Sequence, residues 1–76
     1  MDEVLVGGIY CHYKRGGEYE VIAVGRHTET DEDLVVYKSL YADAEFPIGT
    51  VWIRPLLMFM DSIEVDGRYV ARFRRI

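Results

Sequence analysis

Aromatic and cationic side chains alternate along two short segments of the sequence. Tyr10, His12 and Lys14 stand at every second position of the first segment, and Trp52 and Arg54 do so in the second. Because successive side chains of a β-strand point to opposite faces, each set would share one face of a strand. Aromatic rings stack on nucleobases, and arginine can hold a phosphate or carboxylate through two parallel hydrogen bonds. The spacing therefore indicates a binding face for an anionic or nucleotide-like ligand, or for RNA.

The same spacing is also compatible with packing alone. Tyr10 and Trp52 could form a second small core, with the stems of Lys14 and Arg54 over it and their charged ends in water. Arg72 is ambiguous in the same way, because it stands next to the apolar Phe73. It could complete a basic rim around the binding face or pair with Glu64. Both explanations stay open at the level of sequence.

Histidine and glutamate residues raise the question of a metal site. His27 and Glu29 are two residues apart and would share a face if their strand continued that far, and His12 could approach from a neighbouring strand. No close ligand spacing such as HxxxH is present. The alternative is that the histidines are hydrogen-bonded around a loop and that Glu29 caps backbone amides. We keep His27 and Glu29 as candidate ligand-binding residues and predict no metal and no cofactor.

A nucleophilic enzyme would need an activated side chain. Cys11 is the single cysteine, and its neighbour His12 would point to the opposite face of a strand. A lone cysteine on an apolar strand face is typically a small core residue. Four of the thirteen acidic residues gather in a polar loop over 29–33, where they would be solvated. We therefore assign no catalytic residue and favour a binding module over an enzyme, which the sequence does not exclude.

Length and composition limit the classes of protein. The chain has 76 residues, half of them hydrophobic, and a net charge of −4, which predicts one domain over 1–76 with one small core. The net charge argues against long-range attraction to nucleic acid or anionic membranes. No apolar run is long enough to span a bilayer, and Asp2 and Glu3 stand where a signal peptide has positive charge. We expect a cytoplasmic protein with no membrane contact.

Periodicity along the chain is that of short strands. Apolar residues alternate with polar ones or fill short β-branched and aromatic runs, which predicts strands over 9–14, 18–26, 34–41, 50–54, 62–65 and 69–73. Turns are predicted at Arg15-Gly16-Gly17 and at Asp66-Gly67, and one 3₁₀ or helical turn near 56–60. On the second strand, Tyr19, Val21, Ala23 and Gly25 would form the buried face. The predicted fold is all-β, a small SH3-like barrel of five to six short strands.

Several blocks of sequence, taken together, resemble a known family. They are 8–14 (GIYCHYK), 19–21 (YEV), 27–30 (HTET), 35–37 (VVY) with 40–41 (LY), 52–55 (WIRP) with 58–59 (MF), and Gly67 with 72–73 (RF). This pattern is similar to that of the bacterial family known as domain of unknown function 1653. The resemblance runs from about Gly8 to Phe73 and implies a compact SH3-like β-barrel. It implies no activity.

Three functions remain to be compared. The first is a binding module whose face carries Tyr10, His12, Lys14, Trp52 and Arg54, with His27, Glu29 and Arg72 as further candidates. The second is a regulatory domain that takes an extended peptide or partner protein, either in an aromatic groove or beside an edge strand. Such a groove would be lined by Tyr13, Tyr37, Tyr41 and Trp52. The third is a metal-dependent enzyme. We expect a monomer or a weakly self-associating protein.

Overall fold

Short strands make up most of residues 4–14 and 16–76, the part of the chain that the computed structural model describes. Seven strands and one helical turn follow one another as β1 (Ile9–His12), β2 (Glu18–Arg26), β3 (Asp33–Ser39), β4 (Val51–Pro55), α1 (Leu56–Phe59), β5 (Ser62–Val65), β6 (Arg68–Ala71) and β7 (Phe73–Arg75). The predicted all-β class and the helical turn near 56–60 are confirmed. The last predicted strand is divided in two at Arg72, whose N–H donates to the Asp61 carbonyl while its own carbonyl accepts from Tyr13. Asp2, Glu3 and Arg15, on which earlier predictions fell, lie outside the described residues.

Five of the strands form one antiparallel sheet in the order β4-β3-β2-β1-β7, and β5 and β6 form a separate antiparallel hairpin. The two outer strands of the larger sheet approach each other through side chains. The guanidinium carbon of Arg54 on β4 lies 5.7 Å from the centre of the Phe73 ring on β7. The sheet is therefore strongly curved. Within the described residues β4 and β7 remain edge strands of the hydrogen-bonded ladder, and closure into an SH3-like barrel stays a prediction.

A bulge in β2 changes which of its residues face the core. Val21 pairs with Tyr37, but Ala23 already pairs with Val36, so one extra residue lies in β2 between these pairs. An extra residue reverses the alternation of side chains beyond it. Val21 is fully buried as predicted, whereas Ala23 and Gly25 are exposed. The prediction of one buried face along the whole strand was therefore wrong for its second half.

Aromatic rings dominate the small core. Its buried hydrophobic members among the described residues are Tyr10, Val21, Val35, Tyr37, Phe59 and Phe73. Phe59 and Phe73 stack with ring centres 4.2 Å apart and planes 6° from parallel. The helical turn α1 brings Phe59 to this position directly after Pro55 ends β4. The core thus joins the helical turn to the edge strand β7.

The β5–β6 connection has the predicted hairpin turn. Asp66 and Gly67 both have positive φ, 51° and 79°. Positive φ at both central residues defines the type I′ turn, which matches the twist of the flanking strands. Among the described residues, no helix is long and apolar enough to cross a membrane.

Candidate functional site

A cleft of about 340 Å³ lies between the strands of the curved sheet and the loop that follows β3. Its lining comes from five strands and from the segments that follow β1 and β3, and consists of His12, Lys14, Tyr19, Tyr37, Ser39, Tyr41, Asp43, Phe46, Trp52, Arg54 and Phe73. Six of these side chains are aromatic rings of tyrosine, phenylalanine or tryptophan. We call this the aromatic cleft. It brings together His12, Lys14, Trp52 and Arg54, four of the residues that the sequence predicted as ligand-binding.

Trp52 and Arg54 enter the aromatic cleft from the edge strand β4. Trp52 pairs with Tyr37 on β3, and Arg54 with Val35. Because the two residues are two positions apart, their side chains share one face of the strand. The Arg54 guanidinium carbon lies 5.7 Å from the ring centre of Phe73, within the range of a cation–π contact. This contact holds a positive charge beside the aromatic lining.

His12 and Lys14 enter from the end of β1. The N–H of Lys14 donates to Nδ1 of His12 across 3.2 Å, which requires Nδ1 to carry no proton. The imidazole also packs edge-to-face against Phe73, with ring centres 5.0 Å apart. Lys14 is exposed, whereas His12 is half-buried. The first strand therefore supplies an imidazole inside the cleft and an ammonium group at its exposed end.

Two tyrosines form a wall of the aromatic cleft. The hydroxyl oxygens of Tyr19 and Tyr41 are 2.7 Å apart, and the rings meet edge-to-face. The backbone of Gly17 packs so closely on Tyr41 that a Cβ atom there would overlap the tyrosine ring. Gly17 is thus the small residue that leaves room for this wall.

The 42–49 loop supplies another wall. The Oδ1 atom of Asp43 accepts hydrogen bonds from the N–H groups of Glu45 at 2.9 Å and Phe46 at 2.7 Å. This turn places the Phe46 ring against the indole of Trp52, with centres 4.8 Å apart. This loop lies between two predicted strands, and the sequence analysis missed Asp43 and Phe46 as lining residues. No local pattern indicates them, because the contact joins two segments through the tertiary fold.

Two buried atoms of the cleft lining lack a hydrogen-bond partner within the described part of the chain. They are Oγ of Ser39 and Nε1 of Trp52. Ser39 is only 4% exposed. Its backbone N–H and C=O are paired with Thr50 and Gly49, so the hydroxyl is the group that lacks a partner. Buried polar groups are hydrogen-bonded in the great majority of proteins. Both atoms are removed from solvent, and no described residue replaces the hydrogen bond to water that each has lost.

Tyr10 shares the strand face of His12 but lies in the core rather than in the aromatic cleft. It is 6% exposed, and its ring packs edge-to-face on Phe59 at 5.3 Å between centres. Its hydroxyl accepts a hydrogen bond from the N–H of Leu5 at 3.0 Å. Tyr10 is therefore a packing residue, as the alternative explanation of the spacing predicted. It lies in the main core and not in a second small core.

Arg72 forms an ion pair with Asp61 and not with Glu64. Its Nε and one terminal nitrogen donate to the two carboxylate oxygens at 2.6 and 3.1 Å. This hydrogen bond lowers the pKa of Asp61 and raises the pKa of Arg72, against the opposing effect of burial on each. Arg72 does not line the aromatic cleft. It connects the β5–β6 hairpin to the segment that precedes it.

His27 and Glu29 lie in the turn between β2 and β3, apart from the aromatic cleft. Nδ1 of His27 accepts hydrogen bonds from the N–H groups of Glu29 at 3.1 Å and Thr30 at 3.3 Å. The histidine thus caps the turn, and Glu29 contributes its backbone. His12 and His27 do not meet in one cluster: the described residues contain no group of three or more histidine, cysteine or acidic side chains placed to hold a metal.

The aromatic cleft combines apolar side chains with charged ones. Six of its lining side chains are aromatic rings, and Arg54 and Lys14 add positive charge. Asp43 already uses one carboxylate oxygen to organise its own loop. This arrangement can hold a planar group and an anionic group at the same time.

Comparison with known proteins agrees with the resemblance noted in the sequence. A family model described as a protein of unknown function (DUF1653) matches residues 8–75. A crystal structure of a DUF1653 protein from Bordetella bronchiseptica has a TM-score of 0.78 and 33% identity to this chain, and the match covers 95% of this chain and 87% of that one. A search of curated proteins finds no match. The chain therefore belongs to the DUF1653 family of proteins of unknown function.

Proposed function

We propose that this protein is a binding module whose aromatic cleft holds a nucleotide, either free or as part of a single RNA strand. The observation that carries the proposal is the combination of six aromatic rings with Arg54 and Lys14 in one cleft of about 340 Å³. Small-molecule sites have volumes of roughly 300–1,000 Å³ and are mostly apolar, with a few polar groups that orient the ligand. A single nucleotide matches this combination of size, flat surface and charge.

The positions of the cations favour a ligand with one anionic end. Lys14 is exposed and Arg54 is half-buried, so both can meet a phosphate that keeps part of its hydration. Arginine binds phosphate through two parallel hydrogen bonds, and stacking of a base on an aromatic ring contributes about 1–3 kcal/mol. The net charge of −4 opposes a long polyanion, so a short contact of one nucleotide suits this chain better than an extended track.

The test is a titration of ¹⁵N-labelled protein with uridine monophosphate and, separately, with a short uridine-rich RNA. We expect saturable amide shifts around His12, Trp52 and Arg54 with at least one of the two probes. If the mononucleotide alone is sufficient, the ligand is a free nucleotide. If only the RNA binds, and more tightly at low salt, the nucleotide is recognised within a strand. Absence of saturable shifts in the cleft with both probes would refute the proposal.

A pair of charge-matched variants locates the binding. Arg54→Gln removes a cation from the aromatic cleft, whereas Arg68→Gln removes one from the exposed strand β6, outside the cleft. We expect Arg54→Gln to weaken binding of uridine monophosphate about tenfold, as loss of a charge-assisted hydrogen bond does. Arg68→Gln should bind as the wild-type protein does. Equal weakening by both substitutions would indicate a general charge effect and not a site.

A second proposal concerns a protein partner at the edge strand β4. Val51 and Ile53 are 55% and 64% exposed on the strand face opposite Trp52, and β4 ends the described ladder. An extended peptide can add as a further strand to such an edge. The test compares proteins retained from a bacterial lysate by wild-type protein and by the Ile53→Lys variant. A partner lost only with the variant supports this function, and identical recovery by both argues against it.

A further inference from the structure

A second groove, of about 470 Å³, lies between the β5–β6 hairpin and the paired strands β1 and β7. The hairpin contributes Val65 and Val70 to its lining, and the strand pair contributes Cys11 and Arg74. We call this the hairpin groove. Of the described lining residues, only His12 also lines the aromatic cleft, so the two are separate cavities. The volume of the hairpin groove lies within the range of roughly 300–1,000 Å³ that small-molecule sites have.

One side of the hairpin groove is an apolar surface that the fold leaves partly uncovered. Val65 and Val70 share one face of the hairpin, because Val70 pairs with Ile63 and Ile63 stands two residues before Val65. Their exposed fractions are 38% and 37%. A sheet normally buries its apolar face against another element. An aliphatic chain in the groove would cover both valine side chains.

The other side of the hairpin groove carries a cation. Arg74 pairs with Cys11 across the β1–β7 ladder, so the two side chains share one face. None of the ion pairs in the described part of the chain includes Arg74. Among the described lining residues Arg74 is the only arginine or lysine, and none is acidic. An anion in the groove therefore meets one guanidinium and no opposing carboxylate from this lining.

We propose that the hairpin groove binds an aliphatic carboxylate, with its tail over Val65 and Val70 and its carboxylate on Arg74. A guanidinium holds a carboxylate through two parallel hydrogen bonds, and one guanidinium matches its single charge. Each methylene that the valines remove from water adds to the affinity. This site is independent of the proposed nucleotide function.

The end of a peptide is the other molecule that carries a carboxylate beside an apolar group. A peptide also brings N–H and C=O groups that need hydrogen-bond partners when they are buried. Two backbone donors that border the groove, those of Tyr13 and Gly16, already donate to carbonyls at 2.9 and 3.1 Å. An aliphatic tail needs no such partners, so the lining favours the free acid.

The direct test titrates the wild-type protein with hexanoate, octanoate, decanoate and dodecanoate, below the concentrations at which they form micelles. Cys11 is the single cysteine and lines the groove, so its rate of reaction with iodoacetamide reports occupancy. We expect saturable protection of Cys11 and amide shifts centred on Val70 and Arg74. Affinity should rise by up to about fourfold for each added methylene and level off once the tail extends beyond the groove.

Two substitutions separate the contribution of the tail from that of the charge. Arg74→Gln removes the cation and should weaken decanoate binding about fivefold, as loss of an exposed ion pair does, while decanol binds as before. Val70→Ser removes apolar surface from the groove and should weaken decanoate and decanol alike.

Matched control variants lie outside the hairpin groove. Arg75→Gln removes the neighbouring cation, which is on the opposite face of β7. Val24→Ser changes a valine of β2 that is 41% exposed, close to the exposure of Val70. Both variants should bind decanoate as the wild-type protein does.

Four outcomes would overturn the proposal. The first is no saturable protection of Cys11 by any of the acids. The second is an affinity that keeps rising with chain length, which indicates non-specific partition. The third is equal weakening of decanoate binding by Arg74→Gln and Arg75→Gln. The fourth is protection of Cys11 by a short peptide that ends in leucine but not by decanoate, which would make a peptide end the ligand. Titrations with nucleotide probes are separate, so failure here leaves the proposed nucleotide function standing.

Discussion

The ring of Phe73 belongs both to the core and to the aromatic cleft. One face stacks on Phe59 with ring centres 4.2 Å apart, and the guanidinium of Arg54 lies 5.7 Å from the ring centre. His12 meets the same ring edge-to-face. The position of two proposed ligand-binding groups is thus fixed by one core residue. A change that moves Phe73 should alter the cleft as well as the stability of the fold.

Gly17→Ala tests the tyrosine wall at the level of a single atom. A Cβ atom at this position would overlap the ring of Tyr41, so the ring must rotate away and lose its 2.7 Å contact with the hydroxyl of Tyr19. We expect a folded protein whose unfolding free energy falls by about 1 kcal/mol, the usual net value of a hydrogen bond. Urea denaturation measures the loss, and aromatic proton shifts of Tyr41 report its movement.

Gly25→Ala serves as the control for this prediction. Gly25 lies within β2, whose first residue follows Gly17, and no atom beyond its chain neighbours is within 4 Å of the position that its Cβ would take. Its substitution should change the unfolding free energy by no more than about 0.5 kcal/mol. If Gly17→Ala were as stable as Gly25→Ala and left the Tyr41 shifts unchanged, the close packing of Gly17 on this wall would be wrong.

At the level of elements, the β5–β6 hairpin is the less buried of the two sheets. All of its residues are exposed except Ile63, which is half-buried. Arg72 follows the hairpin directly, and Asp61 precedes it. The two residues are joined by the ion pair and by a 3.0 Å hydrogen bond from the Arg72 N–H to the Asp61 carbonyl. Both connections join the two residues that flank the hairpin. Attachment of this element therefore depends strongly on one pair of residues.

Acidification should weaken this attachment. The hydrogen bond from Arg72 lowers the pKa of Asp61 below its ordinary value of 3.8 in the folded state. A lowered pKa contributes stability above the unfolded-state pKa, and that stability is lost as the pH falls through the folded-state pKa. Because the pair is partly exposed, we expect at most about 1 kcal/mol.

The Asp61→Asn variant measures that contribution. It should be less stable than the wild type at pH 7, and the difference should shrink as the pH falls below 3.8, the ordinary pKa of Asp61, because the unfolded wild-type chain then binds a proton that the ion pair opposes in the folded chain. Urea midpoints of both proteins at pH 7 and pH 3 provide the comparison. A difference that stays constant or grows toward acid pH would contradict the ion pair as its cause.

Local pattern was sufficient to predict the elements but not how they meet. Alternation and turn residues predicted the strands, the 56–60 turn and the Asp66-Gly67 hairpin, all of which depend on neighbours in sequence. The β2 bulge and the pairing of Arg72 with Asp61 depend on the partner strand and on the chain path. The buried face of β2 was therefore predicted incorrectly beyond Val21, and Asp61 was not among the partners considered for Arg72, since neither feature has a local signal.

For the candidate site too, the sequence predicted the local grouping of residues but not their tertiary surroundings. The two-residue spacing correctly grouped His12 with Lys14 and Trp52 with Arg54, and the strand order then placed both pairs in one cleft. The same spacing could not separate Tyr10, which lies deeper on its strand in the core. Whether a side chain on one strand face is buried depends on which residues of other elements cover it. The binding role of the grouped residues stays a prediction.

For the whole molecule, stability rests on a small and mainly aromatic core. The described part of the chain has six buried hydrophobic residues, and three of them, Tyr10, Tyr37 and Phe73, contact the ring of Phe59. A domain of this length has an unfolding free energy of about 4–11 kcal/mol. Loss of one central ring should therefore remove a large share of the total.

Phe59→Ala tests this dependence. Phe59 is 1% exposed, and truncation of a buried phenylalanine to alanine costs about 3–5 kcal/mol because it removes buried apolar surface and leaves a cavity. We expect the urea midpoint to fall sharply. Trp52 is the single tryptophan, so its fluorescence reports on the aromatic cleft while far-UV circular dichroism reports on the strands. The two transitions should coincide, because Phe73 joins the core to the cleft.

Leu57→Ala is the matched control on the same helical turn. Leu57 is 83% exposed, so its truncation should change the unfolding free energy by no more than about 0.5 kcal/mol. Equal stability of the two variants would mean that Phe59 is not central to the core. Separate transitions by fluorescence and circular dichroism in Phe59→Ala would show that the aromatic cleft opens independently of the sheet. Coincident transitions at a lowered midpoint would instead tie the geometry of the aromatic cleft to global folding, because the ring beside Arg54 is also half of the central stack.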